Sequence, residues 1–151
     1  MSNEFPFELT VSRLIAAPPE KVWQVITGRL EEWWCPKPWR TEINALEWHA
    51  GGAFDTTMRG PNPEDISSAK GVMLEVIPNR RFVFTDALDS DWNTQTAFMV
   101  GIFELEPEAA GTRYTARARH WTVEAMEEHS RMGFAQGWQA VADQLAALAE
   151  A

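Results

Sequence analysis

The chain has 151 residues, with 45% hydrophobic and 23% charged side chains and a formal net charge of −9 from 13 basic and 22 acidic groups. That balance fits a single globular domain over residues 1–151, which can bury roughly 70% of its unfolded surface; it excludes disorder and disfavours nucleic acid as a partner. The lone Cys35 has no partner for an internal disulfide, no apolar run is long enough for membrane insertion, and Met1-Ser2-Asn3-Glu4 shows no signal pattern, so a cytoplasmic setting is expected.

Taken in chain order, Phe5, Phe7, Leu9 and Val11 alternate, which predicts a half-buried strand over Phe5 to Ile15. Ala17-Pro18-Pro19-Glu20 starts a helix, because proline in a first turn gives up an N–H that would be unpaired anyway. The helix carries Val22, Trp23, Val25 and Ile26 and stops at Gly28; a second short turn runs from Leu30 to Trp34. Strands follow at Thr41 to Trp48, Ala53 to Arg59, Ala69 to Ile77, Arg81 to Asp86, Ala97 to Glu106 and Thr112 to His120, separated by Gly-, Pro- and Asn-rich turns. Such short connections predict a sequential antiparallel meander. The longer Gly60 to Ser68 and Leu88 to Thr96 connections are candidate portal loops or plain surface loops.

Thr122 to Ala149 reads as one long helix with Thr122 as its N-cap. Met126, Phe134, Val141, Leu145 and Leu148 form its apolar stripe, with Gly137 inside the stripe and Trp138 at its edge. An antiparallel sheet needs a cover for its apolar face, and this helix is the only element long enough. The expected fold is therefore α+β: a curved antiparallel sheet of about six or seven strands, two short N-terminal helices and a long C-terminal helix packed across the sheet.

With that order in place, the chain resembles a known superfamily. Ala17-Pro18-Pro19-Glu20-Lys21-Val22-Trp23, Trp33-Trp34, Gly51-Gly52-Ala53-Phe54, Met58-Arg59-Gly60-Pro61, Gly71 to Val76, Phe82 to Asp86, Gly111-Thr112 and Met132 to Trp138 stand in the expected sequence. This set is similar to the START-like (SRPBCC, pollen-allergen-like) proteins, in the branch of homologues of the C-terminal domain of the activator of the 90-kilodalton heat-shock protein ATPase. The resemblance implies a helix-grip fold over a ligand-sized cavity and supplies no catalytic motif. The eukaryotic co-chaperone has an additional N-terminal domain without a counterpart here, so an ATPase-activating role is not expected.

The residues bear on the cavity independently. In the last strand Arg113, Thr115, Arg117 and Arg119 share one face and Tyr114, Ala116, Ala118 and His120 the other. The charged face is the solvated one, which leaves small alanines inside where a packed sheet favours Val or Ile. Met99, Gly101, Phe103 and Leu105 form the matching set on the preceding strand. Gly133 and Gly137 add a cost of roughly 2 kcal/mol relative to alanines in a helix interior. Either the layers approach closely or space is left between them. The second reading makes a void with Phe54, Met58, Phe84, Trp92, Phe98 and Trp138 as its walls, and Gly101, Ala116, Ala118, Gly133 and Gly137 as the residues that make room.

Catalytic signals are sparse. His49, His120, His129 and Cys35 are scattered, with no metal-ligand spacing, and neither a phosphate loop nor a nucleophile elbow appears, so no metal or cofactor is expected. Alternation turns His120 towards the cavity mouth, where it is a polar contact and the first candidate for a general base. Asp86, Asp89 and Asp91 read as a solvated loop, and Arg59 faces outwards. Three functions follow: binding of a small hydrophobic or amphipathic molecule, which the residues favour; a stress-response or co-chaperone-like protein-interaction module; and a cyclase- or hydrolase-like enzyme. A homodimer and a chaperone are the macromolecular partners left open.

Overall fold

The computed structural model describes residues 6–151, so Met1 to Phe5, including the start of the predicted first strand, lie outside the described residues. The elements are β1 (Glu8–Ile15), α1 (Pro19–Gly28), α2 (Leu30–Trp33), β2 (Arg40–Leu46), β3 (Phe54–Arg59), β4 (Ile66–Ala69), β5 (Val72–Ile77), β6 (Arg81–Thr85), β7 (Met99–Glu108), β8 (Gly111–His120), α3 (Val123–Arg131) and α4 (Phe134–Glu150). The α+β helix-grip expectation holds. Strands pair antiparallel in the orders β1-β8-β7-β6-β5 and β2-β3-β4. The two sets join where Ala53 bridges Val72, and Phe54 and Met73 donate across the seam to Gly71 O and Gly52 O.

The β8 alternation sets the layers. Tyr114, Ala116, Ala118 and His120 are buried, while Arg117 pairs with Glu104 at 3.0 Å and Arg119 with Glu8 at 2.7 Å on the outer face. These outer pairs are partly exposed and hold the strands together only weakly. The inner face is covered by α1, α2 and α4. Arg13 on β1 reaches Asp143 of α4 at 3.0 Å, and Thr112 Oγ1 donates to Ala17 O at 2.7 Å where the chain turns into α1.

Two elements depart from the sequence expectation. The Gly60 to Ser68 connection is not wholly a loop, because β4 occupies its second half and pairs with β3 from Thr56↔Ala69 to Arg59↔Ile66. All four of its residues are exposed, so it carries no apolar alternation to reveal it. The single helix from Thr122 to Ala149 is instead two. Thr122 Oγ1 caps α3 by accepting from Ala125 N at 3.1 Å, as expected. The chain then breaks at Gly133, whose φ of 93° is a left-handed conformation that no helix interior tolerates. Gly133 thus sets the path between α3 and α4 and makes no room for a ligand.

Candidate functional site

Under α1 and α2 the space between layers is full. Trp34 packs against Phe54 at 5.0 Å, Phe103 at 5.4 Å and Phe84 at 5.9 Å, while Trp48 meets Phe82 at 5.1 Å. The β6–β7–β8 register places Phe84, Gly101 and Ala118 in one row and Phe82, Phe103 and Ala116 in the next. Gly101 therefore sits beside the ring of Phe84 and Ala116 beside that of Phe103, while Ala118 lies between Gly101 and Leu9. A methyl group at Gly101 would come within 2.5 Å of Phe84 Cε1, so this glycine marks a close approach and not a void. Gly101 accommodates the ring of Phe84, and Ala116 and Ala118 are buried without lining the cavity described below, which corrects the expectation that the three leave space for a ligand.

An apolar pocket, partly open to solvent, does exist further along the same interface. A cavity of about 250 Å³ is lined by Trp34, Cys35, Pro36, Met58, Met99, Phe103, Tyr114, His129, Gly137, Trp138 and Val141. It lies between β7–β8 and α3–α4, with Met58 of β3 and the segment after α2 closing its side. At Gly137 a methyl group would meet only Pro36 Cγ, at 3.8 Å, so this glycine does leave room. Trp138 stacks on Phe103 at 5.6 Å and 15° to form one wall. A larger groove of about 570 Å³ lies beside this cavity, where Glu31, Glu32, Lys37 and Arg40 stand together with Trp39, Ala147 and Leu148.

Three polar side chains face this apolar space. Cys35 Sγ accepts from Thr41 Oγ1 at 3.1 Å; burial pushes its thiol pKa up, so it is no thiolate nucleophile at neutral pH. Tyr114 is 1% exposed, burial raises its pKa, and its hydroxyl has no hydrogen-bond partner among the described residues. The third is His129, half of a buried histidine pair.

Hydrogen-bond logic fixes the protons on that pair. Phe7 O accepts from the backbone N–H of His120 at 3.0 Å and lies 2.8 Å from His120 Nδ1. A carbonyl only accepts, so His120 Nδ1 carries the hydrogen. His120 Nε2 then presents its lone pair to His129 Nδ1 at 2.9 Å, and His129 Nδ1 donates to it. His129 Nε2 is left as a bare acceptor, and no described residue bonds to it. Burial, with the neighbouring His120 adding to it, pushes the His129 pKa down to about 4. At neutral pH the His129 imidazole is therefore uncharged.

The structure distributes the sequence candidates unevenly. Met58, Gly137 and Trp138 line the cavity. Phe54 and Phe84 lie in the filled aromatic cluster. Phe98 backs the histidines, 5.5 Å from His120 and 4.8 Å from His129. His120 acts behind His129 and does not face the cavity mouth itself. Trp92 is 62% exposed on its loop at φ 67°, away from the cavity. The acidic run there organises the loop: Asp89 accepts from Asp91 N and Asn93 N, and Asp86 from Phe98 N. His120 and His129, read as scattered, are hydrogen-bonded partners. His129 lies three residues after Met126 on the inward stripe, a signal the sequence does carry. Among the described residues, no group of three His, Cys, Asp or Glu side chains is placed to hold a metal ion. No helix among them is long and apolar enough to cross a membrane.

Comparison with known proteins places this arrangement. A solved structure from Nitrosomonas europaea is 34% identical, covers 93% of this chain and 92% of its own, and superposes with a TM-score of 0.85. One from Mycobacterium smegmatis is 25% identical over 94% of this chain and 90% of its own, with a TM-score of 0.78. The AHSA1 protein of Silicibacter pomeroyi, at 23% identity, 93% and 95% coverage and a TM-score of 0.69, shares the fold. Among curated proteins, none matches the sequence significantly. The family model for activator of Hsp90 ATPase homolog 1-like protein matches residues 16–150, and the chain belongs to this AHSA1 family of the START-like superfamily.

Proposed function

We propose that this protein binds a small apolar or amphipathic molecule in the cavity beneath α3 and α4, without turning it over. The observation that carries the reading is the 250 Å³ space beside a glycine that has room for a side chain. Leaving such a space empty forgoes packing that a core would otherwise use, and glycine in a helix adds its own cost of about 1 kcal/mol. An enzyme reading needs a base, and a histidine whose pKa lies near 4 is a weak one at neutral pH, although a good hydrogen-bond acceptor. The protein-interaction reading draws on Trp121, Val123 and Met132, which are exposed around α3.

Native mass spectrometry of the protein purified from its own host tests the proposal. A co-purifying small molecule is expected with the unmodified chain and is expected to be absent from Gly137→Trp, which should stay folded. Retention of the molecule by that variant would place binding elsewhere. A protein partner captured equally by both forms would favour the interaction module.

A further inference from the structure

The cavity has a polarity as well as a size, and resting on the binding reading above, we infer that it selects a neutral, hydroxyl-bearing ring compound whose O–H donates to His129 Nε2. The argument starts at Phe7 O, outside the cavity. That carbonyl fixes the hydrogen of His120, His120 fixes that of His129, and His129 Nε2, on a ring that lines the cavity, is thereby left as the acceptor. Reversing the tautomers would turn Phe7 O against a bare nitrogen, so the acceptor is built in by the backbone.

The lining residues then restrict what can satisfy this acceptor. They include neither lysine nor arginine, so a carboxylate would enter a largely apolar space without a counter-ion and against a nitrogen lone pair. A pure hydrocarbon fits the walls but displaces water from Nε2 and from the Tyr114 hydroxyl, leaving both unpaired. A neutral hydroxyl can donate to Nε2, and its oxygen or a second polar atom can accept from Tyr114. Burial holds the His129 pKa near 4, so the imidazole itself carries no charge to attract an anion at pH 7. The size is also limiting. A dry cavity of about 150 Å³ holds benzene, so 250 Å³ suits a substituted single ring or two fused rings. Flat walls at Trp34, Phe103 and Trp138 favour such shapes.

Three probes of one shape test this: 2-naphthol, naphthalene and 2-naphthoate, titrated by calorimetry into the unmodified protein at pH 7. The expected order is 2-naphthol about tenfold tighter than naphthalene, the worth of one satisfied buried hydrogen bond, with 2-naphthoate weaker than both. His129→Phe should erase the difference between 2-naphthol and naphthalene. Since that variant strips His120 of its partner and can misfold, long-range ¹H–¹⁵N spectra of the unmodified protein provide a second readout. There His129 Nε2 should be unprotonated at pH 7 and shift with 2-naphthol but not with naphthalene. Equal affinities for 2-naphthol and naphthalene, both blocked by Gly137→Trp, would overturn the selectivity and leave the binding cavity standing. Failure of every probe to bind, or binding untouched by Gly137→Trp, would overturn the cavity reading and this inference with it. A protonated Nε2 at pH 7 would overturn the inference alone.

Discussion

Along one continuous interface, aromatic rings serve opposite ends. Beneath α1 and α2, Trp23, Trp34, Trp48, Phe54, Phe82, Phe84 and Phe103 interlock with ring spacings between 4.5 and 6.5 Å, and Gly101 on β7 makes room for Phe84. Beneath α3 and α4, Trp34, Phe103 and Trp138 stand around open space beside a histidine pair. Trp34 and Phe103 belong to both regions and form the partition. The filled half can thus carry stability, while the open half keeps a shape that packing alone would close. A glycine means different things on the two sides: at Gly101 it is pressed by Phe84, and at Gly137 it faces room.

The comparison breaks most visibly at Phe82, which is fully buried in the filled half. Phe82→Ala should cost about 3–5 kcal/mol in urea denaturation, whereas truncating a cavity wall should cost much less. Comparable losses for Phe82→Ala and Trp138→Ala would mean the two halves are not energetically distinct.

Acid attacks the open half. His129 has a folded pKa near 4, below its ordinary value of 6.5, so in this window the unfolded chain binds the proton and the folded one does not. Stability is therefore fully present above pH 6.5 and declines as pH falls towards 4, by up to roughly 3 kcal/mol. Urea titrations from pH 7 to 4 should show this slope in the unmodified protein and a shallower one in His129→Phe. Identical slopes would remove His129 as the cause.

The glycines give the finest test. Gly101→Ala should destabilise by about 1–3 kcal/mol through overpacking against Phe84. Gly137→Ala should instead stabilise by about 0.5–1 kcal/mol, since its methyl group has space and alanine favours the helix. Thermal melts of the two variants should move in opposite directions; the same sign would collapse the distinction.

The glycines also show what was legible in the sequence. Strand alternation in β8 revealed the inner and outer faces because arginine and alanine alternate without exception from Arg117 to Arg119. It could not reveal what lay above each small residue, because that depends on register with β6, thirty residues away in the chain. Alternation alone therefore makes Phe54 and Phe84 cavity walls, whereas they fill the core. The break at Gly133 was hidden because an isolated glycine within an apolar stripe also suits an unbroken helix. The histidine pair has no such signal, because its members lie on different elements and a hydrogen bond across that corner leaves no spacing pattern. Gly137, Trp138 and Met58 were legible as cavity-facing because helix and strand periodicity alone determines their side.

The left-handed turn at Gly133 has a consequence for how the proposed site would open. It leaves α3 as a nine-residue helix with one buried side chain, His129. A helix of that length does not persist in water on its own, so its docking depends on that imidazole and a few flanking contacts. Release of α3 is then a local event, far less costly than unfolding the domain. On the binding proposal, the residue that would accept from the ligand also holds α3 in place, and a ligand that satisfies His129 would lengthen its own stay.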